Sequence, residues 1–275
     1  MSKQNHWTGE RLETSICGET MLEHLHRYAI AQQFVKGKKV LDIACGEGYG
    51  ANLLAKQALQ VIAVDIDAPT IEKAVIKYPV SNINFKTGSV LQIPAEDSSF
   101  DIITCFETLE HITEHDKMLA ELKRVLAPGG IVLISTPEKL NYSDASGYKN
   151  PFHKKELYGN EFKELLSRYF SNRTFYTQSS VAGSLLQHES SNAPEDFYSG
   201  NYEGTRKDSS LPAMYHIAIV SDSTIPALNS SFFLHQKNIA TLLQEENEAL
   251  KRTVTYRTGN FFIAPFKFIR SLFRK

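Results

Sequence analysis

The stretch Val40-Leu41-Asp42-Ile43-Ala44-Cys45-Gly46-Glu47-Gly48-Tyr49-Gly50 constrains this chain more than any other, because an apolar run breaks into glycines and resumes as a helical pattern. It predicts a strand, a tight turn and a helix start. Glycine suits such a turn because a backbone without Cβ takes positive φ and lets a ligand come close. The ligand would lie over the carboxyl end of the strand. A lone Gly-x-Gly also fits an ordinary strand-to-helix turn. The sequel narrows the choice. A second strand, Val61-Ile62-Ala63-Val64-Asp65, ends on a carboxylate fifteen positions after Gly50, where an acidic side chain can accept both hydroxyls of a ribose.

With the motifs that follow in order, the sequence resembles the class I S-adenosylmethionine-dependent methyltransferases over residues 36–220. Asp42-x-Ala44-x-Gly46-x-Gly48 resembles the family's first motif and Asp65 its ribose acid. Gly88-Ser89-Val90 resembles the adenine-side loop, and Leu126-Ala127-Pro128-Gly129-Gly130 the turn before the fifth strand. The resemblance implies a doubly wound, mostly parallel seven-stranded α/β sheet of Rossmann-like type. It also implies S-adenosylmethionine as cofactor, bound by Asp42, Ala44, Gly46, Gly48, Tyr49, Asp65, Ile66, Ser89, Val90 and Phe106. Two positions depart from the pattern: Ala44 stands where glycine is common, and Ser89 where an Asp often receives the adenine amino group.

A chain of 275 residues with 42% hydrophobic content can bury one α/β core of about 180–200 residues. The expected division is a lead and cap helix over 1–35, a methyltransferase domain over 36–224 and a separate tail over 225–275. The net charge of -1 argues against a globally basic nucleic-acid binder. Cys17, Cys45 and Cys105 are scattered, which argues against a disulfide framework or a structural zinc site and fits a reducing cytosol. Met1 to Gly18 is too polar for a signal peptide, and no apolar run reaches the length of a membrane span. A cytoplasmic protein is expected.

In chain order, Glu19 to Val35 reads as a helix lying across the cofactor pocket, with Leu22, Leu25, Tyr28, Ala29 and Gln32 to Phe34 at helical spacing. Its His24 and His26 either line the site or belong to a solvated face. Ala68 to Tyr78 reads as a helix with Pro69 in its first turn, where the missing N–H does little harm. Ile83 to Lys86, Phe100 to Phe106 and Ile131 to Ser135 read as strands, and Glu114 to Leu126 as a helix. Strands alternating with helices independently argue for a parallel sheet. Thr136 to Pro151 reads as a rim loop where substrate would enter. A helical apolar face follows at Phe162, Leu165, Leu166, Tyr169 and Phe170, then strands over Thr174 to Ser180 and Met214 to Val220. Between those strands Glu189 to Ser210, with Phe197, Tyr198 and Tyr202, is either a substrate lid or a disordered surface loop.

The chemistry is expected after the fourth strand, at Glu107-Thr108-Leu109-Glu110-His111. A helical turn starting at Glu107 would put Glu107 and Glu110 on one side with His111 adjacent. In one reading His111 or His153 is a general base that takes a proton from an attacking hydroxyl, since imidazole titrates near neutral pH. In another, Glu107, Glu110, His111 and His153 ligate Mg²⁺ or Mn²⁺, a pattern that resembles the ubiquinone-biosynthesis O-methyltransferases and the small-RNA 2′-O-methyltransferases. In a third, Glu110 and His111 only cap the following helix. Trp7, Tyr142, Tyr148 and Tyr158 either stack on sugar rings or serve packing.

Three further segments bear on the acceptor. Thr8-Gly9-Glu10-Arg11, Glu23-His24-Leu25-His26-Arg27-Tyr28 and Asn150-Pro151-Phe152-His153-Lys154-Lys155-Glu156-Leu157 resemble methyltransferases associated with bacterial surface-glycan biosynthesis. They imply O-methylation of a sugar hydroxyl on a glycan, nucleotide sugar or glycolipid, with a polysaccharide pathway as context. Leu228 to Thr255, with Ile239, Leu243, Leu250 and Val254, has the spacing of a short coiled-coil stretch suited to a homodimer. Beyond Gly259, Phe262, Phe266, Ile269 and Phe273 share a helical face opposite Lys267, Arg270 and Arg274. That pattern suits either an interfacial helix on an anionic membrane, on the inner face as a peripheral protein, or a helix docked on the domain. Rival functions are a quinone or other small-molecule O-methyltransferase, an RNA 2′-O-methyltransferase, and a non-catalytic membrane scaffold.

Overall fold

The protein is represented by a computed structural model that describes residues 12, 14, 18–181, 197–201, 203–208, 211–234, 239–253, 255–259 and 263. Trp7, the Thr8-to-Arg11 segment, Cys17, Tyr202, Val254 and the phenylalanine and basic positions beyond residue 263 lie outside the described residues.

The strands are β1 (Lys39–Ile43), β2 (Gln60–Asp65), β3 (Ile83–Thr87), β4 (Phe100–Cys105), β5 (Leu126–Pro137), β6 (Asn172–Gln178), β7 (Phe197–Asn201), β8 (Gly204–Asp208) and β9 (Tyr215–Ser221). Seven of them form one sheet in the order β3-β2-β1-β4-β5-β9-β6, and β7 pairs with β8 separately. The first five run parallel, whereas β9 is antiparallel to both neighbours. The strand order reverses between β1 and β4. In a doubly wound sheet that reversal opens a crevice at the carboxyl ends of the strands, which is where ligands bind.

The helices are α1 (Glu19–Ala31), α2 (Tyr49–Ala55), α3 (Ala68–Lys77), α4 (His115–Val125), α5 (Gly159–Ser167) and α6 (Ile239–Arg252). Because successive strand side chains point to opposite faces, Leu41 and Ile103 enter one core while Val40 and Ile102 enter the other. The first core is closed by α4 and α5 through Met118, Leu119, Leu122, Phe162 and Leu166, all fully buried. The second is closed by Ala31 of α1 and by Ala51 and Leu54 of α2, also fully buried. Asp67 caps α3 by accepting the Thr70 N–H at 3.1 Å, and Pro69 lies in the first turn as expected.

Several expectations are corrected. β5 begins at Leu126 rather than Ile131: Phe100 pairs with Leu126 and Ile102 with Ile131, so Ala127 to Gly130 form an irregularity within the strand. The rim loop is shortened at its start because β5 runs to Pro137, and a π-helical turn occupies Leu140–Asp144. The described part of the Glu189-to-Ser210 excursion is an antiparallel hairpin, with Phe197 opposite Asp208 and Asn201 opposite Gly204. On α1 the buried positions are Glu23, Arg27, Tyr28 and Ala31, not Leu22 and Leu25. Residues 228–234 are not helical, and Leu228 packs against the domain core, so the stretch read as coiled coil starts among the described residues only at α6. Among the described residues no helix is long and apolar enough to cross a membrane.

Candidate active site

The loop after β1 turns through left-handed conformations at Ala44 (φ 60°), Gly46 (φ 53°) and Gly48 (φ 83°) before α2 begins. Gly48 has a second constraint, since a Cβ there would meet the Phe85 ring at 2.6 Å. Two residues on, a Cβ at Gly50 would stand 2.0 Å from the Tyr28 ring, so α1 approaches α2 this closely only over glycine. Asp65, at the end of β2, ties the loop down: its Oδ2 accepts the Gly46 N–H at 2.9 Å and its Oδ1 the Asp67 N–H at 3.0 Å. The carboxylate read as the ribose acid therefore stands directly beside the glycine turn. Ile66 next to it is 71% exposed, which suits a hydrophobic surface for a flat ring.

Asp42 sits lower, in the floor. It is 1% exposed and accepts the Thr104 hydroxyl at 2.7 Å and the Tyr28 hydroxyl at 3.1 Å. Burial pushes its carboxyl up to about 7, against which the Thr104 and Tyr28 hydrogen bonds act. Its role in the structure is to support the crevice from beneath. Above it Tyr28 meets Tyr49 and Phe106 edge-on, with centroids 5.6 and 5.2 Å apart. The Tyr49 hydroxyl shares a 2.7 Å hydrogen bond with His24 Nδ1. Burial and the nearby Arg27 charge hold His24 well below its usual range, so this ring is neutral. His24 thus touches the helix that follows the glycine turn, whereas His26 faces away, toward Ser231 and Phe233. Ser89 caps its own turn by accepting the Leu91 N–H at 3.1 Å, and Val90 is buried beside it.

The turn after β4 differs from the expected geometry. The helical turn begins at Leu109, not Glu107, and spans Leu109–His111 as a 3₁₀ helix. Glu107 precedes it in a left-handed conformation, φ 49°. Its Oε1 accepts the Ser135 hydroxyl at 2.6 Å and lies 3.4 Å from Arg27 Nη1. Glu110 points elsewhere: it is 1% exposed and accepts the Thr136 hydroxyl at 3.1 Å. Burial first, then the Glu107 charge, hold its carboxyl well above the ordinary range. Two carboxyls three positions apart are thereby placed in different surroundings.

His111 and His153 do come together, with ring centroids 5.1 Å apart and nearly perpendicular. His111 Nδ1 lies 3.1 Å from the Phe152 carbonyl. A carbonyl only accepts, so the proton is on Nδ1 and the basic lone pair is on Nε2. That nitrogen is 3.9 Å from Glu110 Oε1. His153 is pinned at both nitrogens, by Glu156 Oε1 at 2.5 Å and by the Asn150 amide at 3.0 Å, and it stacks on Tyr142. The loop bearing it is fastened to the 3₁₀ turn, since the Lys154 and Lys155 N–H groups both donate to the Glu110 carbonyl, at 2.8 and 3.1 Å.

Among the described residues, Glu110, His111 and His153 form a group whose donor atoms lie within 4.8 Å of one another. The four-ligand set is corrected by one member, because Glu107 turns to Arg27 and Ser135. The remaining three fit a divalent cation poorly. Glu110 would have to give up a proton that burial favours, and His153 the bond to the Asn150 amide.

The sequence reading missed Arg27, Gln178 and Tyr215 as members of this site. Arg27 Nε donates to Gln178 Oε1 at 2.8 Å, and its guanidinium lies 4.4 Å over the Tyr215 ring. Locally it reads as one more polar residue in Leu25-His26-Arg27, and Gln178 and Tyr215 are more than 150 positions away. Nothing nearby in the chain marks it.

Residues 41–134 match the family model described as a methyltransferase domain. A Mycolicibacterium smegmatis protein named a probable S-adenosylmethionine-dependent methyltransferase is 35% identical over 162 residues, which are 58% of this chain and 62% of that one. A Coxiella burnetii ubiquinone biosynthesis O-methyltransferase is 34% identical over 112 residues, 40% of this chain and 48% of its own. The chain thus spans between about half and three-fifths of these relatives' lengths. Among solved structures, the YcgJ protein of Bacillus subtilis superposes with a TM-score of 0.53 at 17% identity, over 73% of this chain and all of that one. The PH0226 protein of Pyrococcus horikoshii gives 0.50 at 20% identity, over 74% and 89%. Both share the fold, a mostly parallel seven-stranded sheet flanked by helices.

Proposed function

We propose that this protein is an S-adenosylmethionine-dependent O-methyltransferase acting on a hydroxyl of a sugar, in a glycan, nucleotide sugar or glycolipid. The methyltransferase-domain match and the named relatives support the cofactor. The residues on the page fit it: a glycine turn without Cβ atoms in the way, Asp65 at its side and Ile66 exposed beyond. When bound, the cofactor supplies an electrophilic sulfonium methyl group. The observation that carries the O-methyl assignment is the His111 tautomer. With Nδ1 held by the Phe152 carbonyl, Nε2 accepts the proton of a hydroxyl as it attacks. His153, clamped by Asn150 and Glu156, orients that ring edge-on and is a positioning residue. Burial and the Glu107 charge raise the Glu110 carboxyl, which disfavours it as the base and favours His111. The choice of a sugar is supported by the lead and Pro151-Phe152-His153 resemblances and by the 52% exposed Tyr148 ring beside Tyr142, a surface suited to stacking on a sugar face.

A quinone or other small phenol is the second reading, favoured by the ubiquinone-named relative. Calorimetric titration with S-adenosylhomocysteine, for the wild type and Asp65→Ala, tests the cofactor half; micromolar binding lost in the variant is expected. Transfer of labelled methyl to nucleotide sugars, glycolipids and demethylated quinones tests the acceptor half. Labelled quinone with unlabelled sugars would replace the first reading by the second. Activity lost in EDTA and restored by Mg²⁺ or Mn²⁺ would replace the base by a metal at Glu110, His111 and His153. Through its tail the protein is further proposed to meet an anionic membrane surface, which vesicle sedimentation tests.

A further inference from the structure

Beside the two histidines, the acceptor side of the crevice carries positive charge that the catalytic reading does not use. Residues 139–156 hold four lysines against two acids, in a chain whose net charge is -1. Both acids are engaged: Asp144 accepts the Tyr158 hydroxyl at 2.7 Å, and Glu156 holds His153 Nδ1 at 2.5 Å. Of the lysines, Lys139 lies 4.6 Å over the Tyr158 ring, and the Lys155 charge bears on His115. Lys149 and Lys154 are exposed, and among the described residues neither ammonium forms a hydrogen bond or an ion pair. Glu114, whose charge reaches Lys154, accepts the hydroxyl of its own neighbour Thr113 at 2.7 Å.

The place of these two lysines gives them a use. The His153 N–H donates to the Asn150 carbonyl at 3.2 Å, which closes a turn over Asn150-Pro151-Phe152-His153. Lys149 leads into that turn and Lys154 leads out of it, so the two cations stand on its two arms, on either side of the Asn150–His153 clamp. The Lys154 arm is tied by its N–H to the Glu110 carbonyl, in the turn that carries His111. The Lys149 arm follows Tyr148, whose half-exposed ring meets Tyr142 edge-on at 6.0 Å. A sugar stacked on Tyr148 with a hydroxyl toward His111 would have its substituents pass the lysines. A neutral glycan or a quinone leaves both ammonium groups unanswered. Two ammonium groups on separate arms suit two neighbouring phosphoryl groups, whose oxygens accept charge-assisted hydrogen bonds.

We propose that Lys149 and Lys154 form a diphosphate-binding subsite, so that the acceptor is a sugar carried on a diphosphate. The inference rests on the sugar O-methyltransferase reading and narrows it to activated sugars. A nucleotide and an isoprenoid lipid both supply the diphosphate. The two lysines position the acceptor, and the proton still passes to His111.

The test is calorimetric titration of the full chain, in the presence of S-adenosylhomocysteine, with inorganic pyrophosphate, uridine 5′-diphosphate and geranyl diphosphate. Uridine and geraniol serve as uncharged counterparts. The wild type is expected to bind pyrophosphate, and to bind each organic diphosphate at least about 10-fold more tightly than its counterpart, as two charge-assisted contacts allow. Joint replacement Lys149→Gln and Lys154→Gln should weaken all three diphosphates at least about 10-fold. The same replacement of Lys56 and Lys73, exposed at the end of α2 and in α3, should not. A preference for the uridine compound would identify a nucleotide as the source and one for the geranyl compound a lipid, and either supports the proposal. A wild type that binds no diphosphate, or a double variant that binds them undiminished, overturns it. Failure of S-adenosylhomocysteine to bind in its own titration overturns the methyltransferase reading itself, a different result.

Discussion

At the scale of residues, two strained positions bracket the crevice: Ala44 after β1 and Glu107 after β4 both have positive φ without being glycine. Ala44 is exposed and gains nothing visible from its methyl group. Ala44→Gly is expected to stabilise the fold by about 0.5–1 kcal/mol, the left-handed penalty less the added chain entropy, as a higher urea midpoint would show. Gly50→Ala should do the reverse, costing about 1–3 kcal/mol as the new Cβ meets Tyr28. Asp42 gives a pH signature. Its native carboxyl titrates at about 7 against an ordinary 3.8, so above 3.8 the native state keeps a proton that the unfolded chain has lost. Stability from this group is full below 3.8 and falls as pH rises toward 7, by roughly 1.4 kcal/mol per unit. Asp42→Asn should remove that slope in denaturant titrations at several pH values. The glycine turn, Asp65 and the His111–His153 pair were legible because each lies in a short motif. Arg27 was not, because its meaning depends on Gln178 and Tyr215, brought beside it only by the sheet.

At the scale of elements, the 3₁₀ turn Leu109–His111 and the loop from Asn150 to Lys155 act as one unit, joined by the two N–H bonds to the Glu110 carbonyl. The buried His115 braces the turn from the other side, its Nε2 lying 2.9 Å from the Leu109 carbonyl. His111→Ala should lower kcat about 10²–10⁴-fold with little change in cofactor affinity, and the acidic limb of the pH–rate profile, where the imidazole would take up a proton, should go with it. Asn150→Ala frees one side of His153 and should give a smaller loss of the same kind. The periodicity reading located the strands well because buried parallel strands are continuous apolar runs. It misplaced the start of the turn after β4, where helical spacing was projected back onto Glu107. A left-handed residue there breaks the period, and no propensity scale flags a glutamate for that conformation.

At the scale of the whole molecule, the described side chains of α6 belong to neither core cluster, and its Leu250 is 55% exposed. Leu250→Ser should therefore leave the melting temperature and the affinity for S-adenosylhomocysteine nearly unchanged. The remainder is bound together from its two ends. The first helix meets the last two strands of the main sheet, through Gln178, Ser180 and Tyr215. This closure has a consequence for the nascent chain. Gln178 leaves the ribosome 151 residues after Arg27, about 8–30 s later at ordinary elongation rates. Until then a chain that already contains the glycine turn, Asp65 and His111 carries an arginine with nowhere dry to go, and α1 has reason to stay in water. The helix that covers the site is thus made before the strands that bury its charge.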